Sequence, residues 1–183
     1  MRTVSDPAPM FAQSFRHAAA AGRAQGYMGR GDYRQAIAVL STTRSGSPDD
    51  ALLLELIARC HYASGNDVAA VASAQEALAV DPQSFEAIMV LAEALARQEE
   101  HDVASAWARH GLKIRPAPTP LPPQFLVRFF AWIGKLSTRM KRFAHEFQGA
   151  TTDIDQRRSE WCTWATRYVA WYDSNHNASR PRN

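Results

Sequence analysis

The sequence predicts an all-α chain: a solenoid of three helix-turn-helix units, then a proline-rich linker and a C-terminal helical hairpin. Three observations predict it. A set of residues recurs every 34 positions through the first 116 residues. Five prolines then fall within the nine residues from Arg115 to Pro123. Beyond them the apolar pattern becomes a heptad seam. The predicted boundaries are a loose segment at 1–14, repeats at 15–116, a linker at 117–124, a hairpin at 125–174 and a polar tail at 175–183.

The register carries the first inference. Pro48, Pro82 and Pro116 are separated by 34 residues, as are Ala24, Ala58 and Ala92, and Ala36, Ala70 and Ala104. An alanine-rich chain supplies one alanine triplet by chance, but hardly two together with a proline triplet. A fixed period of this length marks a unit that buries its apolar face only against neighbouring units. Side chains without bulk let two helices cross closely, and larger residues fill the space between. Leu54 and Ile88 are the large residues near the start of the first helix in units two and three, with Ala20 at that place in unit one. Unit one also has Arg23 where the others have Ile57 and Leu91, as expected of an end that faces water.

The helices follow in order. Phe15 to Met28 is alanine-rich and strong in helix propensity. Gly31 and Gly65 supply turns, and Glu99 in the third slot predicts a less regular one. Asp32 is placed to cap the second helix, which turns Tyr33, Ile37 and Leu40 inward. Asp49 or Asp50 caps the third, with Leu53, Leu54, Ile57 and His61 on one side. The fourth carries Val68, Val71, Ala74 and Leu78. Ser84 caps the fifth, bearing Ile88, Leu91 and Leu95, and the sixth carries Val103, Trp107 and Leu112.

The prolines at 116–123 exclude a helix and predict an extended spacer. Phe129, Ile133, Leu136, Met140, Phe143 and Phe147 then follow a 4, 3, 4, 3, 4 spacing, a heptad seam. Gly149 is expected to break this helix, with Thr152 and Asp155 as a capping pair for a second one. Ile154, Trp161, Trp164, Tyr168 and Trp171 recur at helical spacing on that second arm.

Composition bounds the function. Residues 1–116 carry a net charge of −2 and residues 117–183 one of +5, so the basic character belongs to the C-terminal part. The histidines at 17, 61, 101, 110, 145 and 176 are scattered, and Cys60 and Cys162 stand far apart. No phosphate loop, nucleophile elbow, metal-ligand pair or nucleic-acid reader motif is present, so no enzyme activity, cofactor, metal or nucleic acid is expected. Two cysteines in helical segments read as buried free thiols of a reducing compartment. Met1 to Ser14 lacks an apolar signal core and no stretch is long enough to span a bilayer, so a cytoplasmic protein is expected.

The small, large and proline positions of the 34-residue units resemble those of the tetratricopeptide repeat (TPR) family over about Phe15 to Pro116. The resemblance implies a superhelix whose first helices line a concave groove. It places Ala18, Ala21, Gln25 and Met28 of unit one there, Leu52, Glu55, Arg59 and Tyr62 of unit two, and Glu86, Met89, Glu93 and Arg97 of unit three. A few apolar anchors among paired charges suit an amphipathic helix or extended peptide of a partner protein better than a small molecule. Members that grip a chaperone's C-terminal carboxylate use basic and amide side chains where this chain has Ala21, Gln25, Leu56, Glu86 and Val90, so that mode is disfavoured. The resemblance points to an adaptor or chaperone-like interaction module, similar in size to the chaperones of bacterial secretion systems.

The alternative is an assembly scaffold or peripheral membrane protein that uses the hairpin. Phe129, Trp132, Trp161, Trp164 and Trp171 are its contact candidates, since such rings anchor interfaces and oligomers. Phe125 to Ile133, followed by Lys135, Arg139, Lys141 and Arg142, also suits an anionic membrane surface.

Overall fold

The computed structural model describes residues 8–46, 50–114 and 138–176, with side chains for 16–46, 50–114 and 155–176. Seven helices and no strand occur among them. They are α1 (Ala8–Met28), α2 (Tyr33–Arg44), α3 (Ala51–Ala63), α4 (Asp67–Val80), α5 (Phe85–Arg97), α6 (His101–Lys113) and α7 (Thr138–His176). Two compact units divide the chain, at 1–111 and 112–183.

In the first unit the 34-residue period is the packing period. Ala24, Ala58, Ala92, Ala36, Ala70 and Ala104 are all wholly buried, so at every repeat the helices meet where the side chain is smallest. Ala20, Leu54 and Ile88 are likewise buried. Arg23 is exposed where Ile57 and Leu91 are buried, as the end position requires. Each helix packs against the next from α1 to α5; α1 also packs on α3, and α3 on α5. One cluster joins Ala21 and Ala24 of α1, Ala36 and Leu40 of α2, and Leu53, Leu56, Ile57 and Cys60 of α3, with Tyr27, Met28 and Ile37 at its margin. Leu40, Leu53, Leu54, Ile88 and Leu91 are fully buried. Such side chains are worth roughly 1.5–3 kcal/mol each.

The caps fix where helices begin. The Asp50 carboxylate accepts from Leu53 N at 3.2 Å, Asn66 Oδ1 from Ala69 N at 3.2 Å, and Ser84 Oγ from Ala87 N at 3.1 Å. Asp32 makes no side-chain cap; its carboxylate meets Arg30 Nε at 3.5 Å instead.

The turns between paired helices are three copies of one design. Asp32 N donates to Tyr27 O, Asn66 N to His61 O and Glu100 N to Leu95 O, at 2.9, 2.9 and 3.0 Å. Gly31 N, Gly65 N and Glu99 N donate to Met28 O, Tyr62 O and Ala96 O. This is the Schellman pattern, which needs a left-handed residue after the helix. Gly31, Gly65 and Glu99 supply it with φ of 79°, 80° and 65°. The third turn is therefore as regular as the others, contrary to the expectation from Glu99. The hydrogen bonds and the flanking helices impose the conformation on a residue that does not favour it.

Three further differences separate structure from sequence reading. Helix α1 begins at Ala8, inside the segment expected to be loose; Pro9 falls in its first turn, where a missing N–H costs the helix no hydrogen bond. Helix α7 runs unbroken through Gly149, so the hairpin turn expected there is absent and Thr152 and Asp155 lie mid-helix. One interior glycine costs only about 1 kcal/mol, and no proline occurs within the 39 residues. The linker at 117–124, residues 125–137 with Phe129 and Trp132, and the tail from 177 lie outside the described residues. Finally, Val68 is 73% exposed, and Val103 and Leu112 are also exposed. Their helices seat alanines instead, Ala70, Ala74 and Ala77 in α4 and Ala104 and Ala108 in α6.

Candidate functional site

Helices α1, α3 and α5 lie side by side and form one face of the repeat unit. Helix α3 shows how sequence selects that face. Leu53, Leu54, Leu56, Ile57, Ala58 and Cys60 are buried against the neighbouring helices. Leu52, Glu55, Arg59 and Tyr62 follow a 3, 4, 3 spacing and remain accessible, with Leu52 49% exposed. On α5, Glu86 and Glu93 are half-buried, Arg97 is exposed, and Met89 is 9% exposed and belongs to the core. On α1, Ala18 and Gln25 are exposed, Ala21 is buried, and Met28 lies half-buried against the α1–α3 cluster.

The structure joins several of these side chains across α3 and α5. At one end, Ser84 Oγ donates to Glu55 Oε1, so the hydroxyl that caps α5 also ties it to α3. At the other end, Tyr62, Glu93, Arg97 and Asp67 form a network. The Tyr62 hydroxyl bonds the Glu93 carboxylate. The Arg97 guanidinium lies 3.8 Å from the Tyr62 ring centroid, donates to Tyr62 O at 2.8 Å, and pairs with the Asp67 carboxylate. Arg97 thus links the end of α3, the start of α4 and the end of α5.

A comparable tie joins units one and two. His17 of α1 contacts the Asp50 carboxylate that caps α3, and Arg44 of α2 meets Glu76 of α4 at 2.6 Å. Asp50 and Ser84 stand 34 residues apart, so each cap side chain doubles as a tie to the preceding first helix. Sequence reading found the caps but missed these second roles, along with Asp67 and His17. The 34-residue spacing of Asp50 and Ser84 was the available signal.

Burial sets the electrostatics. Glu55 is pushed above the ordinary carboxylate range chiefly by desolvation, and further by Glu86 and Asp81; the Ser84 hydroxyl and Arg59 oppose this. Glu93 is raised by burial against the opposing Tyr62 hydroxyl and Arg97. The Tyr62 phenol is raised by burial first and then by Glu93, and stays protonated. Burial lowers His61, so it favours the neutral form. It pushes the Cys60 thiol up to about 11, which leaves it unreactive in the core.

Helix α7, in the second unit, carries an aromatic ladder. Trp161 and Trp164 are 6.0 Å apart, Trp164 and Tyr168 stack at 5.0 Å, and Tyr168 and Trp171 are 5.7 Å apart. Trp161 is 2% exposed, Trp164 is half-buried and Trp171 is 46% exposed. Among the described residues no cluster of His, Cys, Asp and Glu could hold a metal, and no helix is long and apolar enough to cross a membrane.

Similar solved structures share this fold. The TPR domain of Sgt2 from Aspergillus fumigatus is 18% identical with a TM-score of 0.56, covering 91% of this chain and 86% of that one. The second TPR domain of human RPAP3, in complex with an HSP70 peptide, is 17% identical with a TM-score of 0.54, covering 58% and 89%. The Yersinia enterocolitica type III secretion chaperone SycD, in complex with a peptide of the translocator YopD, is 16% identical with a TM-score of 0.52, covering 80% and 97%. No protein of curated function matches the sequence. The tetratricopeptide repeat family model matches residues 21–84 and 69–117, which together span more than half of the chain. On that match, and on three helix pairs joined by turns of one hydrogen-bond pattern, the chain belongs to the tetratricopeptide repeat family.

Proposed function

We propose that this protein is a non-enzymatic adaptor or chaperone-like module that holds a helix or extended peptide of a partner protein. The partner segment lies in the groove formed by the face of α1, α3 and α5. The observation that carries this reading is the Leu52, Glu55, Arg59 and Tyr62 stripe. On a helix whose Leu53, Leu54, Leu56, Ile57, Ala58 and Cys60 are buried against its neighbours, this line of mixed apolar and polar side chains keeps accessible surface. The similar folds of RPAP3 and SycD, each solved with a bound peptide, support it. The likeness to SycD keeps a secretion chaperone of the cytoplasm within this reading.

A second reading places the contact, or self-association, on α7, because Trp171 ends the aromatic ladder with nearly half its surface exposed. Cross-linking capture with three forms separates the two. The groove reading expects the wild type and Trp171→Ala to retain the same partner and Leu52→Lys with Gln25→Lys to lose it. Loss with Trp171→Ala alone overturns the groove reading and assigns the contact to α7.

A further inference from the structure

Granting that the groove holds a partner segment, we infer that the segment is cationic: an amphipathic peptide with Lys or Arg beside an apolar side chain that meets Leu52. The inference concerns charge, and it starts from the two arginines of the groove. Arg97 is held by the Asp67 carboxylate, the Tyr62 carbonyl and the Tyr62 ring. Its positive charge is spent within the α3–α4–α5 junction. Arg59 lies close enough to Glu55 to favour its ionised form. Against Arg59, α3 and α5 carry three carboxylates, Glu55, Glu86 and Glu93, with Asp81 at the end of α4 beside them and Asp67 at its start already paired to Arg97. His61 and Tyr62 add no charge near neutral pH, because burial favours the neutral form of each.

The arrangement is directional. The accessible residues of α1 on this face, Ala18, Gln25 and the half-buried Met28, are uncharged, so the negative potential lies over units two and three. A carboxylate there is less screened than one in open water, and the desolvation that raises Glu55 and Glu93 is what a facing cation would offset. An incoming ammonium or guanidinium would relieve the carboxylates that desolvation penalises, whereas an incoming carboxylate would add to the repulsion. Leu52 stands one turn before Glu55 on α3, so a segment with apolar and basic side chains on one face would meet both. Charge complementarity of this kind selects partners and accelerates encounter.

The test uses two labelled amphipathic peptides of about 18 residues with identical apolar positions, one with Lys and one with Glu at the polar positions. Fluorescence anisotropy against the full chain at roughly 50 and 300 mM salt reads the preference and its screening. The Lys peptide is expected to bind at least about tenfold tighter, with the margin narrowing in high salt. Glu55→Gln with Glu93→Gln keeps both hydrogen-bond acceptors, removes both ionisable carboxyls, and should reduce the preference severalfold with unchanged helical content. Equal or tighter binding of the Glu peptide, abolished by Leu52→Asp, overturns the charge inference and leaves the groove reading standing. Failure of both peptides to bind overturns the two together.

Discussion

The repeated turn offers a clean energetic experiment, because Gly65 and Glu99 occupy one position of the same motif with opposite suitability. An L-residue in the left-handed region costs about 1–2 kcal/mol. Removing glycine from the unfolded chain returns about 0.4–1 kcal/mol of that through lower chain entropy. A Cβ built at Gly65 meets nothing within 4 Å, so Gly65→Ala introduces backbone strain without a clash. It should destabilise by about 1 kcal/mol. Glu99→Gly reverses the change at φ 65°, and the Glu99 side chain is exposed, so little packing is lost. It should stabilise by a few tenths to about 1 kcal/mol, while Glu99→Ala, which keeps the strain, should be near neutral. For a chain of this size each kcal/mol moves Tm by about 2–4 °C. Thermal and urea unfolding followed by far-UV circular dichroism read the shifts. Changes of the same sign for Gly65→Ala and Glu99→Gly would refute the claim that backbone conformation governs this site.

Two further predictions concern the ties between α3 and α5. Arg97→Ala should cost about 1–2 kcal/mol, since the exposed ion pair counts for little and the ring and carbonyl contacts supply the rest. A double-mutant cycle with Asp67→Ala should give a coupling of about 0.5–1 kcal/mol, and zero coupling would show that the pair does not link the helices. The raised carboxyls predict a pH dependence. Folded Glu55 and Glu93 hold their protons more tightly than the unfolded chain, so their contribution is complete below the ordinary value of 4.5 and is lost as pH rises through the raised values. Glu55→Gln with Glu93→Gln should therefore raise the urea midpoint at pH 7 and flatten the decline above pH 4.5; a steeper decline in the variant contradicts the desolvation argument.

The alanine positions were legible because they answer to one constraint, repeated. Wherever two helices of a unit cross, a small residue is required, and the crossing recurs every 34 residues, so Ala24, Ala58 and Ala92 announce themselves without coordinates. The accessible stripe of α3 was legible for the complementary reason, since what the core does not take at helical spacing remains outside. Met89 shows where this stops. It holds the register of an outward position yet is buried, because a long, flexible apolar side chain folds into the nearest gap. The uninterrupted α7 is not legible because Gly149 followed by the Thr152 and Asp155 pair carries the local signature of a stop and a restart. A cost of about 1 kcal/mol ends a helix only where caps or packing favour a stop, and neither glycine nor a polar pair supplies that by itself.

The polar ties were hidden for a different reason. Asp50 and Ser84 do the same work at the same register, but the residue that completes each tie differs: His17 in one case, Glu55 in the other. Core packing selects volume, so related interfaces repeat the same small residue. A hydrogen bond selects only complementarity, and a carboxylate cap with a histidine serves as well as a hydroxyl cap with a glutamate. Pairwise requirements of that kind leave no periodic mark on a single chain. Arg97 follows the same logic, since unit two has Ala63 and unit one Gly29 at that register. Its network is specific to the junction of units two and three. The residues that tie α3 to α5, Glu55, Glu93 and Arg97, are therefore ones that depart from the repeat, while the repeat itself explains the scaffold on which they stand.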